Sequence, residues 1–321
     1  MLAQDKTSAV WVDRTGSAVQ AEGIAGNNPG QPRISPDGSR ALYDSASPAG
    51  DDEVFVADLA RRTTMRVSQD PADDFNAVWT PDSHHAIWTA LPPARMPFLQ
   101  IRPVDGTGQA EPLLGAPAPG GAPDDGGRFA GSQAQFAGSV SPSGVLAYTQ
   151  ASATGTSDIW AVAISGDRKA RPVIVSPAWE FGPEFSPDGK WIAYVSDESG
   201  ARDIYVVPYP GPGAKRRVTS NGGVSPAWSR DGRELFYQSG DAFMVVDIKA
   251  GQSLDFGAPR ILFRGNFVID SREDGPRAYD VMPSGQQFLM LVSKPSTVPP
   301  PDFQVLLNWA DGLKNDPANR R

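Results

Sequence analysis

The chain of 321 residues contains no cysteine and only two histidines, His84 and His85. The lack of cysteine excludes disulfides, thiolate catalysis and cysteine-based metal sites. The two histidines are adjacent, and neighbouring residues on a strand point to opposite faces, so they do not predict one shared site. The serine-hydrolase pattern Gly-x-Ser-x-Gly is also missing. The common nucleophile chemistries are therefore disfavoured.

Long apolar runs are missing as well, and none approaches the roughly 20 residues that cross a bilayer. We therefore expect no membrane insertion. The formal net charge of −8 makes nucleic acid a poor partner. The basic cluster at 215–217 is interpreted as the exposed side of an edge strand. The N-terminus is too polar for a signal peptide, so the compartment stays open, with an extracytoplasmic location slightly favoured over a cytoplasmic one.

What the chain has in abundance is turn residues, with 33 glycines and 31 prolines. A short phrase rich in them recurs six times, as Ser35-Pro36-Asp37-Gly38, Thr80-Pro81-Asp82-Ser83, Ser141-Pro142-Ser143-Gly144, Ser186-Pro187-Asp188-Gly189, Ser229-Arg230-Asp231-Gly232 and Met282-Pro283-Ser284-Gly285. Successive copies start 45, 61, 45, 43 and 53 residues apart. A period in the forties is typical of one propeller blade.

One copy with its flanks shows how a blade is built. A short strand at 183–186 enters the turn, and an apolar strand follows at 191–196. A polar loop leads to a β-branched and aromatic strand at 203–208, and a more polar strand follows at 215–219. Four strands in about 40 residues predict one antiparallel sheet, and six such sheets predict an all-β, six-bladed β-propeller.

We predict a single propeller domain over residues 1–321, with blades starting near residues 33, 78, 139, 183, 226 and 278. The last copy lacks its outer strands, whereas the N-terminus has strands at 9–24 without a turn of their own. We predict that these strands join the C-terminal blade and close the ring. A further strand is predicted at 303–309, either inside or outside that blade.

The phrase Pro-x-Trp/Phe-Ser-Pro-Asp-Gly, followed by Ile-Ala-Tyr and Asp-Ile-Tyr-Val, resembles the TolB-like six-bladed propellers, also called PD40 or WD40-like repeats. The best matches are 183–196 with 203–207, and 226–237. The segments at 10–16 and 305–309 resemble the boundaries of propellers that follow a Ser/Thr kinase or winged-helix domain in bacteria. The resemblance implies a sensor or protein-binding module. Ser83, Ser143, Ser284, Arg230 and Met282 depart from the consensus turn.

The loops just before each copy of the repeated phrase differ from blade to blade, so we expect a binding site there. These loops and those between second and third strands surround one mouth of the channel. Acidic, aromatic, amide and basic side chains there suit ligand or partner capture. The candidate binding residues are Asp74, Asn76, Trp179, Glu180, Phe181, Arg202, Arg272 and Glu273. No catalytic or metal-binding residue is assigned and no cofactor is predicted, although Ca²⁺ held in the channel by Asp74, Asn76 and Glu180 is an alternative.

Three hypotheses of function follow. The first is a non-enzymatic binding or sensor propeller that recognises a protein, peptide or small ligand at the funnel mouth, as a monomer. The second is a metal-assisted hydrolase or lyase acting on a lactone or saccharide, against which the scarcity of histidine counts. The third is a structural propeller that self-assembles through its exposed C-terminal strand.

Overall fold

Each copy of the repeated phrase forms a tight turn between two antiparallel strands. In the first copy, the Gly38 amide donates to the Ser35 carbonyl at 2.8 Å, and Gly38 takes a φ of 75° that suits glycine. Asp37 accepts hydrogen bonds from the Ser35 hydroxyl at 2.6 Å and the Ser39 amide at 2.9 Å. Asp188 and Asp231 accept the same hydroxyl bond in their own turns. The repeated carboxylate therefore closes a turn.

A computed structural model describes residues 6–93, 95–114, 134–151, 155–249, 254–269 and 277–294. Within these ranges the regular secondary structure is β-strand, arranged in six antiparallel sheets. No helix in the described ranges is long and apolar enough to cross a membrane. The predicted strand at 303–309 lies outside the described residues.

The first three blades are consecutive along the chain. The first contains β3 (Asn27–Ile34), β4 (Arg40–Ala46), β5 (Asp52–Asp58) and β6 (Thr63–Arg66). The second contains β7 (Asp73–Trp79), β8 (His85–Leu91), β9 (Phe98–Pro103) and β10 (Glu111–Pro112). The third contains β11 (Gln135–Val140), β12 (Val145–Ala151), β13 (Ser157–Ala163) and β14 (Arg171–Ile174).

The remaining blades include the ring closure. The fourth contains β15 (Glu180–Phe185), β16 (Trp191–Ser196), β17 (Asp203–Pro208) and β18 (Arg216–Arg217). The fifth contains β19 (Val224–Trp228), β20 (Glu234–Ser239), β21 (Ala242–Lys249), β22 (Asp255–Phe256) and β23 (Arg260–Arg264). The sixth combines β24 (Tyr279–Val281) and β25 (Gln287–Lys294) with the N-terminal β1 (Lys6–Asp13) and β2 (Ala18–Gln20).

The predicted closure by N-terminal strands is confirmed. β1 pairs with β25 over its whole length, with Ala9 opposite Leu291 and Val12 opposite Phe288. All four of these side chains are buried. The contact joins the two ends of the described chain with apolar pairs, so the closing blade has a core like the others.

Each interface between neighbouring blades has its own apolar core. Blades one and two pack around Leu42 and Trp88, and blades five and six pack around Phe243 and Phe288. The Phe243 and Phe288 rings lie 4.9 Å apart at a steep angle, which is a favourable edge-to-face arrangement. Stability is therefore distributed around the ring, and the innermost strands are held in place from both sides.

The innermost strands β3, β7, β11, β15, β19 and β24 each touch the next and close a ring around the channel. In five of the six blades, the pairing of the first strand with the second is shifted by a bulge. These strands begin at residues 27, 73, 135, 180 and 224, ahead of the blade starts read from the sequence. Each bulge places extra residues in the innermost strand, so the strand starts before the regular alternation of apolar residues that the sequence shows.

Candidate functional site

The turns of the repeated phrase meet at one end of the channel and form its rim. Because the strands are antiparallel, every first strand ends there and every loop leading into a first strand lies at the opposite end. A Cβ placed on Gly189 would lie 3.3 Å from Pro142, and one on Gly38 would lie 3.2 Å from Pro283. Turns from neighbouring blades therefore contact each other. We call this end the turn mouth and the other end the loop mouth.

A cavity of about 330 Å³ opens at the turn mouth. Five turn prolines surround it, and Arg230 takes the place of proline in the fifth blade. Those prolines are Pro36, Pro81, Pro142, Pro187 and Pro283. Behind the rim, the charged lining residues are Arg33, Glu184, Arg277 and Asp280. With Arg230 of the rim, the lining has three arginines and two carboxylates, so its formal charge is positive in a chain of net charge −8.

Arg277 anchors the charged part of this cavity. Its Nη1 lies 2.9 Å from Glu184 Oε2, and its Nη2 lies 2.6 Å from Asp280 Oδ1. Nη1 also donates to the Pro226 carbonyl at 2.9 Å, and Nε donates to the Tyr279 carbonyl at 3.0 Å. Only 5% of Arg277 is exposed, so this guanidinium is buried but fully paired.

Arg33 faces the same cavity with a different set of partners. Its Nη1 donates to the backbone carbonyls of Pro32 and Arg277, both at 2.8 Å. Nε is buried without a hydrogen-bond partner, and Nη2 has none among the described residues. No carboxylate in the described part of the chain forms an ion pair with this side chain, although only 9% of it is exposed. Arg33 is therefore a buried cation with one open edge.

Burial and pairing act against each other in this cluster. Burial raises the pKa of Glu184, although the arginines beside it favour its charged form. Burial also opposes the charge of Arg277, but the carboxylates of Glu184 and Asp280 outweigh it and keep its pKa above the ordinary value. For Arg33, burial and the charge of Arg277 lower the pKa to about 10. An anion at Arg33 would offset both effects.

At the loop mouth, Asp74 is fully buried at the start of β7. The Trp88 indole donates to its Oδ1 at 2.9 Å, while its Oδ2 is buried without a hydrogen-bond partner. Burial, with the negative charge of Asp70, raises the pKa of Asp74 to about 8. Asp74 therefore favours its protonated form at neutral pH.

Glu180 occupies the equivalent place in the fourth blade, six residues before the turn, and is also fully buried. The Ser176 hydroxyl donates to its Oε1 at 2.5 Å, and Ser196 approaches the same oxygen at 3.5 Å. Burial raises the pKa of Glu180. The hydrogen-bond partners of Asp74 and Glu180 come from different blades, so the two predicted acids form separate pairs rather than one cluster.

Asn76 lies inside β7 with a left-handed φ of 56°. Its backbone amide donates to Gln31 Oε1 at 2.7 Å. The oxygen and nitrogen of its side chain are buried without partners. Gln31 and Ser225, four residues before their turns, are also left-handed, with φ of 45° and 58°. Non-glycine residues in this conformation are strained, and here they mark the bulges of the innermost strands.

The other predicted residues are only partly brought together. Phe181 is buried, and the Arg202 guanidinium lies over its ring at 5.4 Å from the centroid. Trp179 is half-buried, and its amide donates to Asp197 at 2.9 Å. Arg272 and Glu273 lie outside the described residues. Binding at the loop mouth stays a prediction, and four of its residues lie in the interior, namely Asp74, Asn76, Glu180 and Phe181.

No group of three or more histidine, cysteine or carboxylate side chains in the described ranges could hold a metal ion. Calcium held by Asp74, Asn76 and Glu180 therefore stays a prediction, and its two carboxylates have separate partners.

The turn-mouth cluster was not recognised in the sequence. Arg33, Glu184 and Asp280 each stand two residues before the repeated turn, where other blades have Val78, Ser139 and Ala227. In five of the six blades the residue at this offset lines the cavity, whereas Ala227 packs in the core between blades five and six. Charged residues at a fixed offset from an otherwise structural turn were the available signal.

Residues 127–267 match the family model of the TolB beta propeller domain, PD40. Residues 127–267 therefore carry a TolB-like propeller domain, and the chain as a whole folds as a β-propeller of six antiparallel blades.

Solved structures share this architecture at low sequence identity. A protein assigned as TolB from Agrobacterium tumefaciens matches 92% of this chain and 100% of its own, with a TM-score of 0.67 and 17% identity. TolB from Acinetobacter baumannii matches 81% of this chain and 67% of its own, with a TM-score of 0.55 and 15% identity. An oligogalacturonate lyase from Vibrio parahaemolyticus matches 88% and 82%, with a TM-score of 0.53 and 15% identity. At these identities the likeness is one of fold.

Proposed function

We propose that this chain is a non-enzymatic binding propeller that takes a peptide segment of a partner protein into the cavity at the turn mouth. The observation that best supports this proposal is the open cavity of about 330 Å³, which has buried arginines beneath a rim of prolines. A concave site with a few fixed polar groups is the usual form of a ligand pocket. The match to the TolB beta propeller domain supports a binding role at the level of class.

The rim supports this proposal through its stiffness. Proline restricts its own backbone, and each turn is closed by hydrogen bonds to a serine, threonine or aspartate side chain. Trp79 and Trp228 donate from their indoles to the carbonyls of Arg33 and Glu184, at 2.8 and 3.0 Å. A site built on rigid elements binds with little loss of conformational entropy.

The enzymatic and the self-assembling hypotheses stay predictions. The metal-assisted hydrolase or lyase draws support from the Vibrio lyase only at the level of fold. Self-assembly would appear in light scattering as a species larger than the predicted monomer. An extracytoplasmic location, and a place in a larger signalling protein, also stay predictions.

The absence of cysteine allows a direct test of which mouth binds. Ser143→Cys places one thiol on an exposed turn at the turn mouth, and Ala201→Cys places one on an exposed loop at the loop mouth. Each variant is labelled with a bulky maleimide. Peptides are selected against the unlabelled full chain from a random twelve-residue phage library.

We expect the selected peptides to lose binding when the label is at Ser143→Cys and to keep it when the label is at Ala201→Cys. The reverse result would favour the loop mouth and contradict our assignment. A library that yields no specific peptide would contradict peptide binding itself.

A further inference from the structure

We propose that the turn-mouth cavity recognises a carboxylate group of its peptide ligand through the open edge of Arg33. This inference rests on the proposed function and names the chemistry of the same site. The carboxylate belongs either to an acidic side chain or to the C-terminus of the peptide.

The first argument is the difference between the two buried arginines of the cavity. Arg277 has two carboxylates and two carbonyls as partners, so its donors are used. Arg33 has carbonyl partners on Nη1 alone. A buried donor without a partner costs free energy that a ligand oxygen would recover. Of the two buried guanidinium groups that line the cavity, only that of Arg33 therefore has donors without partners.

The second argument is geometric. The Nη1 bonds to Pro32 and Arg277 fix the plane of the Arg33 guanidinium. Nε and Nη2 then remain as the unpaired edge, and two parallel N–H groups of a guanidinium match the two oxygens of a carboxylate. Nε is buried, so we expect Nη2 to meet the first oxygen and Nε to be reached as the ligand settles.

The third argument is charge. The cavity lining carries Arg33, Arg230 and Arg277 against Glu184 and Asp280, which leaves an excess of positive charge. Both Asp280 oxygens are occupied, one by Arg277 and one by the Ile34 amide at 2.6 Å. Neither is available to neutralise Arg33 through a direct bond. A ligand carboxylate would neutralise this excess positive charge.

The test compares chemically matched ligands on the unmodified protein. Peptides from the library selection are synthesised in four forms, with each acidic residue or its amide counterpart (Glu→Gln or Asp→Asn) and with a free or amidated C-terminus. Dissociation constants are measured by fluorescence anisotropy at fixed salt concentration. We expect removal of one particular carboxylate to weaken binding about tenfold or more. An effect of the side-chain change identifies an acidic residue, and an effect of amidation identifies the C-terminus.

Variants of the protein then locate the contact. Arg33→Gln should weaken the carboxylate peptide about tenfold and abolish its advantage over the neutral form. Glu184→Gln should tighten binding, since it removes a negative charge that faces the same cavity, and a misfolded protein would not bind more tightly. Arg260→Gln, on the exposed outer strand β23, is the control and should leave affinity unchanged.

Peptides that compete at the turn mouth but bind equally well in neutral form would overturn this inference and leave the proposed function intact. Equal loss of carboxylate and neutral peptides on Arg33→Gln would also count against it, because Arg33 would then support the fold rather than contact the carboxylate. A library without specific binders would overturn the proposed function, and this inference with it.

Discussion

At the turn mouth, the buried carboxylates of Glu184 and Asp280 face the guanidinium of Arg277. At the loop mouth, the buried carboxyl groups of Asp74 and Glu180 face an indole, serine hydroxyls and a second carboxylate. Ion pairing therefore stabilises the charged forms of Glu184 and Asp280, whereas burial raises the pKa of Asp74 and of Glu180, which have no ion-pair partner in the described part of the chain.

This difference shows where charge is available for recognition. A paired network holds its ions at any moderate pH, and Arg33 beside this network has unpaired donors that a ligand could use. A protonated carboxyl carries no net charge and attracts no ion at neutral pH. The two ends should consequently differ in their response to substitution and to pH, which provides ways to test the comparison.

The largest effect is expected at Arg277. Arg277→Met leaves Glu184 and Asp280 buried without their cation, and breaking such a pair from one side costs about 3–5 kcal/mol of unfolding free energy. Urea denaturation followed by tryptophan fluorescence measures it. Arg230→Gln at the same mouth is exposed and should cost no more than about 0.5 kcal/mol. A loss below about 1 kcal/mol for Arg277→Met would mean that the network does not stabilise the ring.

The next effect is a pH dependence at Asp74. Its pKa in the folded state, about 8, is above the ordinary value of 3.8, so the folded state binds the extra proton between these values. Stability from this group is complete below pH 4 and is lost as pH rises towards 8. Asp74→Asn keeps a neutral, similarly shaped side chain. We expect the variant to match the natural protein near pH 4 and to exceed it in urea denaturation by up to about 5 kcal/mol at pH 9, which corresponds to the full difference between the two pKa values.

Asp203, at the same end of the molecule, should give the opposite pH dependence of stability. Burial disfavours its charge, but hydrogen bonds from Ser199, Thr219, Arg217 and the Gly222 amide outweigh burial and lower its pKa. Asp203→Asn should therefore destabilise the protein at pH 7, with a difference that shrinks below pH 4. Parallel pH profiles for the Asp74 and Asp203 variants would contradict the assignment of a proton to Asp74.

Much of the fold could be predicted because it depends on local rules that repeat. Ser35, Asp37 and Gly38 satisfy the turn geometry by themselves, so each copy of the phrase reports a strand-turn-strand unit wherever it occurs. The closure by β1 followed from counting strands, since the last copy lacked its outer pair. The bulges were not predicted, because left-handed Gln31 and Ser225 are not residue types that favour such a backbone, and Asn76, which is, stands alone in its strand.

The candidate site was harder to predict because it is made of positions that are unremarkable one at a time. Arg33, Glu184 and Arg277 are separated by up to 244 residues, and only closure of the ring brings them together. Their burial is invisible in sequence, where a charged residue is usually taken to be exposed. The loop-mouth residues attracted attention through their composition, yet Asp74 and Glu180 are interior groups with partners in their own blades.

The smallest expected effect concerns the rim of the turn mouth. Gly189 and Gly200 both have positive φ, at +70° and +85°, so alanine at either position costs about 1 kcal/mol through backbone strain. A Cβ at Gly189 would also press on Pro142 of the neighbouring turn at 3.3 Å, whereas Gly200, in a loop at the loop mouth, has no atom within 4 Å of that position. Gly189→Ala should therefore cost about 1 kcal/mol more than Gly200→Ala in urea denaturation. Equal losses of unfolding free energy would mean that neighbouring turns do not pack tightly against each other. The turn mouth would then lack the rigidity that supports its role in binding.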